Sequence, residues 1–279
     1  MQRDTRRKPT RLSRIFHSAR LIKKQCLSPS AQTFHMEFAL PDLAAFPFLP
    51  GQFVSAVADD LGGKEQIRAY SLASAPDANR FALCLNRVDG GFFSNMLADL
   101  PDLPIEGTIQ IYGPNGFFTL RDPIADSIFV ATGTGVAPMR SFLEWLFPAN
   151  GPDRSNGKQI WLVYGTRHES EIYYRDEFEA YASKHANFHY VPTLSRAPES
   201  WTGLRGYVQD HVAAIVKDRA QQLGLPLPAP PVDPGIPPAE LHFDIHAYIC
   251  GLSPMINAVR DLLKSYGWHR KQIIFERYD

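Results

Sequence analysis

Residues 127–147, SIFVATGTGVAPMRSFLEWLF, read as a strand, a glycine-rich turn and a helix without interruption. No other stretch constrains the chain as tightly. Ile128, Phe129 and Val130 form a short apolar run that stops at a turn, the pattern of a strand buried on both faces. Thr132-Gly133-Thr134-Gly135 follows directly. Glycines there let the backbone turn sharply, approach a ligand closely and leave N–H groups facing an anion. Pro138 suits a first helical turn, and Met139, Phe142, Leu143 and Leu146 recur at the spacing of one buried helix face. The turn therefore ends at a helix N-terminus and reads as a nucleotide-phosphate cradle. On this stretch alone, a tight βα connection with no ligand is the plain alternative.

From residue 126 onward, strand-like and helix-like segments alternate. Strands are predicted at 128–131, 160–165, 188–193, 247–250 and 272–275, with helices at 138–147, 170–185, 208–223 and 254–266. The last helix has Ser253 as its N-cap, Pro254 at its first position and Gly267 as its stop. Such a βαβ series predicts an α/β doubly wound parallel sheet. The earlier half contains short β-type segments at 17–25, 32–40, 52–58, 67–73, 80–88 and 108–112, with one short helix opening near Ser94. Turns such as Leu49-Pro50-Gly51 separate them, as in an all-β sandwich or barrel. The expected division is a basic tail over 1–14, an antiparallel β half over 15–122 and the α/β half over 123–279. Within the last, seven prolines in 224–239 exclude helix and sheet interior, leaving a surface excursion.

A chain of 279 residues with 44% hydrophobic residues can fill two cores. Lys plus Arg and Asp plus Glu each total 29, so no overall field favours nucleic acid or an anionic membrane. Arg3, Arg6, Arg7, Lys8, Arg11 and Arg14 make the start basic, read as a solvated tail. No apolar stretch follows Arg6-Arg7 as in a signal peptide, and none is long enough to span a bilayer. Cys26, Cys84 and Cys250 lie far apart without a Cys-x-x-Cys pair, and the nine histidines lack metal-ligand spacing. The expectation is a reducing, cytoplasmic setting and no metal.

In the β half, Arg68-Ala69-Tyr70-Ser71-Leu72-Ala73-Ser74 combines a diphosphate-holding cation, a ring able to lie on a flat cofactor and a hydroxyl for that ring's edge. A flavin seat and an ordinary amphipathic strand are about equally consistent with it. Gly90-Gly91-Phe92-Phe93-Ser94-Asn95-Met96-Leu97 again places glycine and serine before a helical start, a second candidate anion site.

Taken together, RAYSLAS (68–74), LCLN (83–86) with GGFFSNML, TGTGVAPMRSFL, TLSR (193–196), RGYVQ (205–209), ICGL (249–252) and the ending Phe275-Glu276-Arg277-Tyr278 resemble the plant-type ferredoxin–NADP reductases, motif by motif and in order. The resemblance implies a flavin-binding antiparallel β-barrel ahead of an NADP-binding α/β sheet. It implies that Arg68, Tyr70, Ser71, Cys84, Phe92, Phe93 and Ser94 contact FAD. Thr134, Val136, Ala137, Pro138, Gly251 and Leu252 would contact the dinucleotide, with Ser195, Arg196, Arg205, Tyr207 and Gln209 as the adenosine-phosphate clamp for NADP(H), NAD(H) remaining possible. Ser71, Cys250, Glu276 and Tyr278 would surround the reacting centre. Two positions depart from the pattern: Asn86 stands where plant-type members carry lysine, and Asp279 follows the tyrosine that closes their chains.

The implied activity is exchange of a hydride with NADP(H) and of single electrons with an external carrier, ferredoxin first. Alternatives are the reductase component of a multicomponent oxygenase, a flavodoxin or flavin reductase using NADH, or a flavoprotein subunit that relays electrons without binding nicotinamide.

Overall fold

The computed structural model describes residues 14–101, 107–226 and 244–278. The basic tail up to residue 13, most of the proline-rich stretch and Asp279 lie outside the described residues. The first half is an antiparallel sheet of β1 (Phe16–Ser28), β2 (Thr33–Ala39), β3 (Phe53–Asp59), β4 (Glu65–Ser71), β5 (Arg80–Asn86) and β6 (Thr108–Asn115), ordered β4-β3-β6-β1-β2-β5. Its ends meet where Leu72 bridges Leu83 and the Ala73 N–H donates to the Ala82 carbonyl at 2.8 Å, closing the barrel. Leu21, Met36, Phe38, Leu72, Phe81 and Ile111 fill it. Helix α1 (Phe92–Ala98) lies between β5 and β6 in sequence.

The second half is a parallel sheet of β7 (Asp126–Thr132), β8 (Ile160–Thr166), β9 (Phe188–Leu194), β10 (Leu204–Arg205), β11 (Ile245–Gly251) and β12 (Ile273–Arg277), ordered β10-β9-β8-β7-β11-β12. Helix α2 (Val136–Leu146) packs on one face, where α3 (Arg175–Lys184) contributes Phe178, around Phe129, Phe142 and Tyr248. On the other face α4 (Val208–Gln222) and α5 (Ser253–Ser265) bury Val212, Val216, Ile256 and Leu263 against Ile128, Val130 and Val163. The chain starts at β7, runs outward to β10 and returns to β11 beside β7. The switch point therefore lies between the C-terminal ends of β7 and β11, where open α/β sheets bind ligands. The expected two-part architecture is the one observed.

Three details differ from the sequence expectation. The helix expected over 170–185 is a single 3-10 turn, Glu169–Glu171, followed by α3, because Tyr174 adopts the left-handed conformation (φ 59°). That break turns two phenols toward the barrel: Thr33 donates to the Tyr173 hydroxyl at 2.9 Å, and the Tyr174 hydroxyl lies 3.0 Å from His35 Nδ1. The N-cap of α5 is Leu252, with Ser253 already helical. Lastly β4 does not alternate: Ile67 is 39% exposed and Arg68 and Ala69 are exposed as well, which leaves an uncovered apolar strip beside Tyr70.

Candidate active site

At the switch point β7 passes into the 3-10 turn Gly133–Gly135 and then α2. Gly133 has φ +55°, and a Cβ there would meet nothing within 4 Å, so this corner faces open space. Gly135 packs against β11, where a Cβ would collide with the Cys250 carbonyl. Neither the turn nor α2 has a side-chain cap, and neither carries an acidic residue in its first turn. Among the described residues no side chain therefore caps the positive end of the helix. The side chains of Val136, Ala137 and Pro138 are buried, so contact with a nucleotide falls to their backbone. Thr132 Oγ1 lies against Gly251 Cα, the space a side chain at Gly251 (φ +152°) would take, and this buried oxygen has no hydrogen-bond partner among the described residues. Leu252 is exposed beside it.

Ser71, at the end of β4, donates to Glu276 Oε2 at 2.7 Å, joining residues 205 positions apart. Cys250 pairs with Glu276 in register across β11 and β12. Tyr278 is held at its backbone: its N–H donates to the Gly251 carbonyl at 3.2 Å, and its carbonyl accepts from Arg68 Nη2 at 3.3 Å. Its hydroxyl reaches Ser71 and the Cys250 thiol. The residue is half-buried overall, with the hydroxyl at its inner end. Burial pushes the Cys250 thiol well up, and the Glu276 charge adds to the effect. Burial also raises the Glu276 carboxyl, against the lowering effect of the Ser71 hydrogen bond. Ser71, Cys250, Glu276 and Tyr278 are therefore brought together in one cluster. Titratable groups perturbed by burial inside one cluster mark a site for chemistry.

Arg68 and Tyr70 extend this cluster along β4, with burial raising the Tyr70 phenol to about 12 against the opposing charge of Arg68. Phe92 and Phe93 meet edge to face at 5.0 Å at the start of α1. Ser94 Oγ accepts from the Val88 N–H at 3.1 Å, and Asn95 Oδ1 is buried without a partner among the described residues. The Cys84 thiol is buried in the contact between the two halves and faces the Tyr174 hydroxyl, so any contact with a ligand falls to its backbone.

In the clamp, Ser195 and Arg196 are exposed, Tyr207 is exposed at the N-cap of α4 and Gln209 is half-buried in its first turn. Arg205, on β10, is exposed as well. Its guanidinium is taken by the backbone carbonyls of residues 197, 198, 199 and 201.

Arg140 in α2 went unnoticed in the sequence reading. It donates to Glu177 at 2.9 Å and to the Ala73 carbonyl at 2.6 Å and pairs with Glu144 at 2.6 Å, while Ser141 Oγ donates to the Ser74 carbonyl and Glu144 accepts from the Ala75 N–H. The helix that begins at the glycine turn thus grips the segment just after Ser71. The available signal was a charged residue inside the otherwise buried face of 136–146. A cavity of about 420 Å³ opens nearby between Lys23, His35, Arg140 and Tyr174, and none of the reacting-centre residues lines it.

Residues 18–120 match the family described as Oxidoreductase FAD-binding domain, and residues 129–261 match the Oxidoreductase NAD-binding domain. The fold and site thus define a two-domain flavin- and pyridine-nucleotide-dependent oxidoreductase. Ferredoxin–NADP reductase B of Sorangium cellulosum is 41% identical over 265 residues, 94% of this chain and 97% of that one. The reductase component of phenol 2-monooxygenase from a Pseudomonas species is 30% identical over 261 residues, 90% of this chain but 62% of its own length. Two solved ferredoxin–NADP⁺ reductases share the fold. One, from Plasmodium falciparum with 2′P-AMP, has TM-score 0.73 and 21% identity over 94% of this chain and 96% of that one. The other, from Neisseria gonorrhoeae with FAD and NADP, has TM-score 0.69 and 22% identity over 94% and 98%. The chain belongs to the ferredoxin–NADP reductase family. FAD and NADP(H) are its cofactors, and the residues present fit them: an uncovered strip on β4, an uncapped helix start and an unpartnered hydroxyl at the switch point. Among the described residues no helix is long and apolar enough to cross a membrane.

Proposed function

We propose that the chain transfers electrons between NADP(H) and a small one-electron carrier protein, ferredoxin by first choice, through FAD held on residues 15–122 and nucleotide held on 123–279. The meeting of Ser71, Cys250 and Glu276 at the switch point carries this reading, since it joins the flavin strand to the end of the nucleotide sheet. Bound FAD supplies the conversion between two-electron and one-electron transfer. Arg68, Tyr70, Phe92, Phe93 and Ser94 seat it, and the turn at Thr134 with the backbone of residues 136–138 and 251–252 receives the dinucleotide. Ser71 orients the Glu276 carboxyl through their hydrogen bond. Cys250, kept a neutral thiol by burial, fills the floor of the centre, and Tyr278 covers it from solvent.

Arg196 and Ser195 support a preference for NADPH through the adenosine 2′-phosphate. The engagement of Arg205 favours a second reading, an oxygenase-type reductase using NADH. Steady-state reduction of ferredoxins and flavodoxins with NADPH and NADH, in the parent and in Arg196→Ala, separates the two. A parent that uses both nucleotides equally, or a substitution that leaves the ratio of kcat/KM unchanged, sinks the NADPH assignment.

A further inference from the structure

We infer that Arg205 is a positioning residue that shapes the nucleotide-recognition loop and is not itself a phosphate ligand. The inference rests on the NADP(H) reading above. Arg205 sits on β10, and its Nη1 donates to the Ala197 carbonyl at 3.1 Å while Nη2 faces the carbonyls of Pro198, Glu199 and Trp201 at 2.8, 3.2 and 2.8 Å. Three acceptors engage both hydrogens of Nη2, and the planar fork fixes where the loop backbone runs. A phosphate approaching that edge of the guanidinium meets the negative ends of four carbonyl dipoles. The ring of oxygens is a cation site already filled by the chain's own arginine.

The same loop is tied at its other points. The Trp201 indole donates to the Leu204 carbonyl at 2.9 Å, the Trp201 N–H donates to the Pro198 carbonyl at 3.0 Å, and the indole covers Gly203, where a Cβ would meet it at 2.5 Å. Beneath, Thr193 Oγ1 donates to the Gly206 carbonyl, and His211 Nε2 lies 2.9 Å from Thr193 Oγ1 and 3.2 Å from the Arg205 carbonyl. Arg205, itself exposed, thus stands on a fixed base and ties residues 197–201 together through their carbonyls. At the near end of that loop the Ser195 N–H donates to the Thr166 carbonyl at 2.9 Å and the Arg196 N–H to the Arg167 carbonyl at 3.1 Å. The exposed guanidinium of Arg196 takes part in none of these loop bonds, which leaves Arg196 as the clamp's phosphate ligand and Arg205 as the reason its loop keeps one shape. Ordering a loop before binding lowers the entropy that binding must overcome.

Arg205→Lys and Arg205→Met separate the roles, because lysine keeps the charge but cannot span four carbonyls. Affinity for 2′-phospho-AMP and for 5′-AMP is measured at several salt concentrations, together with backbone hydrogen exchange over residues 197–203 in the FAD-loaded protein. Both variants are expected to exchange faster in that loop and to lose 2′-phospho-AMP affinity by a similar factor, roughly fivefold or more for the ordering of a few side chains. The slope of log Kd against log salt stays at the parent value in both and falls in Arg196→Ala. Retention of affinity by lysine with loss by methionine, or a reduced salt slope in Arg205→Met, overturns the inference. So does unchanged loop exchange, whichever nucleotide the protein prefers. A parent that binds the two mononucleotides equally strikes the NADP(H) reading alone, and loop exchange still judges Arg205. Should the variants fail to fold, the arginine side-chain N–H resonances of the parent report on titration with 2′-phospho-AMP: a shift at Arg196 with none at Arg205 supports the role, and a shift at Arg205 overturns it.

Discussion

Replacing Arg140 by alanine is expected to destabilise the protein by roughly 3 kcal/mol at neutral pH, the lower end of what removal of one partner from a buried ion pair costs. Only 13% of the Arg140 side chain is exposed, and its guanidinium joins Glu144, Glu177 and the Ala73 carbonyl while lying 5.0 Å from the centre of the Tyr174 ring. Burial opposes its charge, yet the two carboxylates hold it above the ordinary arginine range. Alanine leaves both acids without their cation and one carbonyl without a donor. Glu144 and Glu177 keep 26% and 29% exposure, so water offsets part of the loss. Glu144 already titrates above the usual carboxylate range because of burial. A raised carboxyl is most favourable in its protonated form, so the destabilisation grows as pH rises through its folded-state pKa and shrinks in acid. The assay is urea unfolding of parent and variant at saturating FAD, near pH 5 and near pH 7, with ligand held constant because binding shifts apparent stability. Adding Glu144→Gln and Glu177→Gln to the variant is expected to restore part of the loss. A change within about 0.5 kcal/mol of the parent, the range of an ordinary surface substitution, would refute the reasoning.

His35 is buried, and its imidazole is lowered from 6.5 to about 4, first by burial and then by the Arg140 charge, with Glu37 opposing. A depressed pKa contributes stability that is present above pH 6.5 and lost as pH falls through about 4, amounting to about 3 kcal/mol. His35→Gln is expected to flatten the stability profile in that window, and an unchanged slope counts against the assignment. Tyr278→Ser is expected to tighten NADP⁺ binding and strengthen the charge-transfer absorbance, because the side chain that reaches Ser71 and Cys250 no longer competes for that space. Equal dissociation constants and spectra in parent and variant mean that Tyr278 guards nothing. Gly251→Ala places a Cβ onto Thr132 Oγ1 at a φ that side chains rarely adopt, so NADP⁺ affinity is expected to fall while FAD remains bound. Normal nucleotide titration of this variant is the contrary result.

The glycine turn was legible because strand, turn and helix follow one another in sequence and each has a local period. The parallel order of the second sheet followed from the same alternation. Ser71 and Glu276, 205 positions apart, carry no local signal, and only the resemblance joined them before the structure did. Arg205 shows the limit of a motif: the spacing of RGYVQ is the same whether the arginine faces a phosphate or its own loop, and its bonds to four loop carbonyls carry no signal in the sequence. The Cys84 thiol meets Tyr174 of the other half, a contact that no local pattern announces. Strand β10 is two residues long and below any periodic signal. The break before α3 escaped because Ile172, Tyr173 and Tyr174 suit a helix locally, while their packing and hydrogen bonds to the barrel prevail.

Anaerobic mixing of the FAD-loaded protein with NADPH tests the central claim most directly. The flavin absorbance is expected to bleach on the timescale of turnover, more readily with NADPH than with NADH, and to return in one-electron steps when oxidised ferredoxin is added. Flavin that stays oxidised with either nucleotide, or a protein that takes up no FAD, contradicts the account.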